Sequence, residues 1–298
     1  MTFSQLLTKA VQQKKNSVLV GLDPRLESLP ESLRTNIPPK DCVAVSSVFE
    51  YFCCRIIDIV APLVPAVKPQ AAFFEQYGAA GMQTLENVIQ YARSKDLVVI
   101  FDGKRNDIGS TAEAYAAGIL GKDSPWKADA LTVSPYLGDD SLEPFVKTAV
   151  QRNAGIFVLV KTSNKGGGML QDLQIDGKPL YRHIAEYVQK ISLETKPQSG
   201  KYGSVGAVVG ATYPEQLAEL RAAMPNCWFL VPGFGAQGGA AKDAAAAFDS
   251  DGLGAVINNS RGIIFAYQKE PFRSQFGEKN WEQAVEAATK QMIAELKS

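Results

Sequence analysis

Eight short, continuously apolar runs recur along the 298-residue chain: SVLVGLD (17–23), VPAVKP (64–69), LVVIFDG (97–103), ADALTVS (128–134), GIFVLVK (155–161), SVGAVVG (204–210), WFLVPG (228–233) and GAVINN (254–259). They do not alternate apolar with polar residues, so they fit strands buried on both faces. Most are separated by stretches with helical spacing, among them SVFEYFCCRIIDIV, MQTLENVIQYARS, SLEPFVKTAVQ, YPEQLAELRAA and AAKDAAAAF. Strand–helix alternation of this kind predicts an α/β protein with a parallel sheet. Eight units close it into a (β/α)8 barrel of the TIM type. No Ser/Pro-rich linker divides the chain, so residues 1–298 are expected to form one domain.

Two connections are long. Residues 24–45 carry Pro24, Pro30, Pro38 and Pro39, and residues 162–203 open with the glycine run 166–168. Both follow strands, so both start at the C-terminal face of a barrel, where such barrels place their active sites. The run Lys165-Gly166-Gly167-Gly168 has no following G-K-[ST], which excludes a Walker-type triphosphate loop and leaves a mobile loop or lid.

Charge narrows the partners. Lys+Arg and Asp+Glu both number 31, so no sequence-wide field draws the chain to nucleic acid or to an anionic membrane. An anionic ligand needs a local cluster. With 46% apolar residues, a chain of this length builds its core without disulfides or structural metal. Cys42, Cys53, Cys54 and Cys227 form no C-x-x-C pair and read as small buried hydrophobes in a reducing compartment. With His183 as the sole histidine, a zinc site or a histidine-based triad is not expected. Acid–base chemistry then falls to Lys, Asp, Glu or Tyr. The N-terminal MTFSQLLTKAVQQKKN has an amphipathic helical pattern without a long apolar core, so a soluble, cytoplasmic protein is expected.

The segment FDGKRNDIGST (101–111) is the most informative. Asp102 and Lys104 are two apart at a strand end, so their side chains share a face, and Asp107 follows where the chain leaves the strand. A surface ion-pair cluster is the plain alternative. Charges on an inward barrel face cost several kcal/mol unless paired. Lys68 occupies the analogous late position of its own strand, although alone it fits a snorkelling surface lysine. Asp23 ends the first strand, where Asp-Pro fits a turn equally well. Three strands delivering charge to one rim form the pattern of a site. After the last two strands come VPGFGAQGG (231–239) and NNSRGI (258–263). Glycines that admit backbone N–H groups, a helix start after Gly238-Gly239 and the Arg261 fork together suit a phosphate, in the usual phosphate position of such barrels.

With these motifs the chain resembles the orotidine 5′-phosphate decarboxylase family, in its longer bacterial branch. The resemblance spans nearly the whole chain and rests on VGLDPR, VKPQAAFFEQYG, FDGKRNDIGST, VKTSNKGG, VPGFGAQGG and NNSRGI. It implies that Lys68, Asp102, Lys104 and Asp107 form an alternating charged array beside the substrate carboxylate, with Lys104 the proton donor to C6. It further implies that Asp23 and Lys68 contact ribose hydroxyls, that Ile108 and Thr111 lie near the ribose and base, that Ser163 bonds the pyrimidine edge, and that Gln237 and Arg261 bind phosphate. The implied reaction takes orotidine 5′-monophosphate to UMP and CO2 in pyrimidine biosynthesis, with no cofactor and no metal. The implied assembly is a homodimer with Asp107 reaching into the partner's site. Two rival readings remain: a Mg2+-dependent sugar-phosphate decarboxylase or epimerase sharing D-x-K-x-x-D, which chelator would silence, and a non-catalytic phosphate-ester binder.

Overall fold

The computed structural model describes residues 1–233 and 241–297. Ten strands occur among them: β1 (Val18–Leu22), β2 (Ala66–Pro69), β3 (Val98–Arg105), β4 (Ala130–Val133), β5 (Gly155–Lys161), β6 (Gln174–Ile175), β7 (Lys178–Pro179), β8 (Val205–Val209), β9 (Phe229–Val231) and β10 (Ala255–Asn259). Eight of them close a barrel in the order β1-β10-β9-β8-β5-β4-β3-β2, and every barrel pairing is parallel. All eight apolar runs are barrel strands, as expected of the (β/α)8 fold. Strands β6 and β7 form a separate antiparallel hairpin within the long 162–203 connection, which the sequence reading left without strands.

Helices occupy the predicted stretches: Cys42–Val60 and Gly78–Ser94 run longer than expected, Glu143–Arg152 and Pro214–Ala223 match closely, and AAKDAAAAF divides into a short helix Ala241–Ala244 and a 3-10 turn Ala245–Ala247. Asp41 caps the first of these, its carboxylate accepting from the N–H groups of Val43 and Ala44. Cys42 opens that helix and is exposed, which corrects the expectation that all the cysteines are buried; Cys53 and Cys227 are buried and Cys54 is half-buried. The glycine run carries short helical turns. Lys165–Gly167 is a 3-10 turn, and Gly168–Gln171 is a helical turn. Among the described residues no helix is long and apolar enough to cross a membrane.

Two apolar layers surround the strands. One packs their outward side chains against the helices. The other fills the barrel with Leu19, Ala66, Ile100, Ala130, Phe157, Leu230 and Val256. The N-terminal helix Phe3–Lys14 stoppers the lower mouth: Phe3 meets Phe157 edge-on at 5.8 Å and leaves no room for a side chain at Gly155. Two residues further along several strands the inward position turns polar. Ala66 is followed by Lys68, Ile100 by Asp102, Ala130 by Thr132 and Val256 by Asn258. All four polar residues line one cavity. The period-2 geometry of a strand thus puts a dry plug below and a charged floor above.

Candidate active site

At the C-terminal mouth lies a cavity of about 440 Å3 that includes Asp23, Lys68, Asp102, Lys104, Ser163 and Arg261. Its centre is Asp102, which is buried. Oδ2 accepts from Lys68 Nζ at 2.5 Å and from Gln70 Nε2 at 2.9 Å; Oδ1 accepts from Lys104 Nζ at 2.7 Å and from Thr132 Oγ1 at 2.9 Å. Four donors fill the four acceptor directions of a carboxylate. Burial pushes the Asp102 carboxyl up, but the Lys68 and Lys104 ammoniums outweigh it and hold the group well below the usual carboxylate range. Lys68 is as deeply buried. Desolvation lowers it, yet Asp102 and Asp23 raise it more, so it stays charged. The Lys104 side chain is 48% exposed and faces the cavity.

The backbone that carries Lys104 is irregular. Its φ is 45°, in the left-handed region that non-glycine residues rarely adopt. The β3–β4 register slips between Phe101 and Arg105. Arg105 braces the strand end from outside, bonding the Gly103 carbonyl at 2.8 Å and Glu75, with its guanidinium 5.8 Å from the ring centroids of both Phe101 and Tyr115.

Strands β9 and β10 lie across the barrel from β3 and β4. There Asn258, Asn259, Ser260 and Arg261 line the cavity wall. The Asn259 side chain accepts from the Gly262 N–H at 3.1 Å and so fixes the turn that presents Arg261. Gly21 is required beneath this turn, because a Cβ there would stand 1.8 Å from Ser260 Oγ. Asp23 Oδ1 and Asn258 Oδ1 are buried without a hydrogen-bond partner among the described residues, two acceptors beside the cavity.

The structure therefore brings together Lys68, Asp102, Lys104, Asp23, Ser163 and Arg261. It does not bring Asp107, Ile108 and Thr111 to the cavity of the same chain. Ile108 and Thr111 are exposed at the start of helix Gly109–Leu120, and the Asp107 carboxylate accepts from the Ile108 N–H at 2.9 Å. Gln237 and Gly238-Gly239 lie outside the described residues. Sequence reasoning missed Gln70, Thr132 and Asn258. Thr132 had a legible signal, a hydroxyl at an inward strand position level with Asp102.

This geometry can hold an anion over a fixed ammonium. The family model described as "Orotidine 5′-phosphate decarboxylase / HUMPS family" matches residues 18–271. The chain belongs to this family. It is 58% identical over 301 residues to an orotidine 5′-phosphate decarboxylase of Rhodopirellula baltica, covering 100% of this chain and 99% of the relative. It is 43% identical to one of Deinococcus radiodurans, over 89% of this chain and 90% of that one. Among solved structures, the OMP decarboxylase of Leishmania donovani superposes with a TM-score of 0.77 at 33% identity, covering 100% of this chain and 98% of that one.

Proposed function

We propose that the chain is an orotidine 5′-monophosphate decarboxylase, a carboxy-lyase that forms UMP and CO2 without a cofactor. The observation that carries the reading is the Lys68–Asp102–Lys104 array, buried at one end and open to the cavity at Lys104. When the C6–carboxylate bond breaks, its electron pair stays on C6, a carbon with little resonance relief. The Lys104 ammonium beside C6 stabilises that charge and then gives C6 a proton, and solvent restores the lysine. Asp102 is saturated with donors, so its part is to hold both lysines charged and in place rather than to accept a proton.

Asp23 and Lys68 take the ribose hydroxyls, Ser163 the pyrimidine edge, and Arg261 with Gln237 the phosphate. Phosphate is remote from the bond that breaks, so its binding energy acts by seating the base against Lys104. The active form is a homodimer in which Asp107, with Ile108 and Thr111 behind it, completes the partner's site. Support for this comes from the position of all three outside their own cavity, with Asp107 half-buried and Ile108 and Thr111 exposed.

The test is a spectrophotometric assay. Orotidine monophosphate mixed with purified protein should lose its absorbance at an unchanged rate with chelator present. Binding of UMP without turnover, or activity that chelator abolishes, would overturn the reading.

A further inference from the structure

Thr132 makes two bonds that no role assigned so far explains. Its Oγ1 accepts from the backbone N–H of Lys104 at 2.9 Å and donates to Asp102 Oδ1 at 2.9 Å. Because the oxygen is occupied as acceptor by the amide, its proton is directed to the carboxylate. Thr132 is buried on the inward face of β4, while its neighbours Leu131 and Val133 point outward into the core beneath the helices.

The need for such a bond follows from the register. Phe101 pairs with Leu131 and Arg105 with Val133, so four steps along β3 oppose two along β4. This slack lets Lys104 adopt its left-handed φ of 45° and takes its amide out of the regular ladder. A buried amide without an acceptor is costly, and the Thr132 side chain supplies one. Asp102 meanwhile binds the Lys104 ammonium at 2.7 Å. The lysine is thus held at both ends, backbone and ammonium, by two groups that one hydroxyl joins.

We propose that Thr132 is a positioning residue for protonation, fixing the Lys104 backbone and the Asp102 carboxylate relative to each other so that the ammonium is set for C6. The inference rests on the reading of Lys104 as proton donor. The Thr132 hydroxyl is already committed to the Lys104 amide and to Asp102, so its loss should appear in kcat and spare affinity.

The test compares Thr132→Val, which keeps the shape and removes the hydroxyl, with Thr132→Ser, which keeps the hydroxyl. Loss of two hydrogen bonds, one to a charged group, should lower kcat by about tenfold to a hundredfold. The valine variant should keep KM and the Kd for UMP within about twofold, and the serine variant should recover most of the rate. A valine variant with wild-type kcat overturns the proposal, as does a serine variant impaired as badly as the valine one. If Thr132→Val loses UMP affinity in step with kcat, the hydroxyl merely maintains the rim and the proposal also fails. Lys104→Ala is measured in parallel. If Lys104→Ala is inactive and Thr132→Val is not, only the positioning role falls; if Lys104→Ala turns over normally, the reading beneath it falls.

Discussion

Lys68 Nζ and Asp102 Oδ2 stand 2.5 Å apart on neighbouring strands, with side chains only 5% and 8% exposed. Neither charge could stay in that place alone. A buried ion pair broken from one side leaves an uncompensated charge, which costs about 3–5 kcal/mol. The pair therefore ties the charge pattern of the cavity floor to the stability of the barrel.

Asp102→Asn should lower stability by about that amount and should change the pH dependence on the alkaline side. In the parent, the depressed Asp102 contributes stability above about pH 4 and loses it as pH falls through its folded value. Lys68 is raised, so its contribution is present at neutral pH and is lost as pH rises past its folded value. In the variant only Asp23 is left to offset burial at Lys68, so Lys68 titrates lower than in the parent and the folded state gives up its proton sooner as pH rises. Relative to the parent, the variant's stability should then shift upward in slope on the alkaline side, level or rising where the parent stays level or falls. Thermal melts across that range read the slope. A variant curve parallel to the parent's would show that Asp102 does not carry the Lys68 charge.

Lys104→Ala should leave the fold intact, because the side chain is 48% exposed. Turnover should fall by at least ~10²–10⁴-fold, the range of general acid catalysis, and by more because charge stabilisation goes too. Steady-state assays alongside UMP binding give the comparison. Near-parental kcat would remove Lys104 from the chemistry.

Arg261→Ala should weaken UMP binding and cost about 2–3 kcal/mol in kcat/KM, as a charge-assisted bond to phosphate is lost. The control is the nucleoside that lacks the phosphate. Parent and variant should process it about equally. Loss of the nucleoside reaction as well would make Arg261 a structural residue of the turn that Asn259 fixes.

The barrel was legible because continuous apolar strands are a local signal repeated eight times. The site was partly legible for the same reason: Lys68 and Asp102 interrupt apolar runs at positions where a packed strand has no use for charge. Lys104 was placed on the correct face, but its left-handed backbone was not foreseen, since nothing in D-G-K-R encodes the slip against β4. Gln70 escaped notice because its role arises only from the juxtaposition of β2 and β3, and Thr132 because its one signal, an inward hydroxyl, gains its meaning from the β3–β4 register. The β6–β7 hairpin escaped because its strands are two residues each, too short for any periodicity.

Asp107 supplies the last prediction. Lys104 and Arg105, the cations that precede it in sequence, are engaged elsewhere, with Asp102 and Glu75, so the intrachain pairing with either of them is not formed. If it completes a partner's site, homodimers of Lys104→Ala and of Asp107→Ala should each be nearly inactive. Mixed into heterodimers with one substitution per chain, both defects fall in one composite site and leave the other unaltered. Activity should then return towards about half per heterodimer, by site counting for a two-fold dimer. Differently tagged chains, purified for the mixed species, make the measurement direct. Verified heterodimers that stay inactive would mean that each site is built from a single chain, and that Asp107 acts from its own rim.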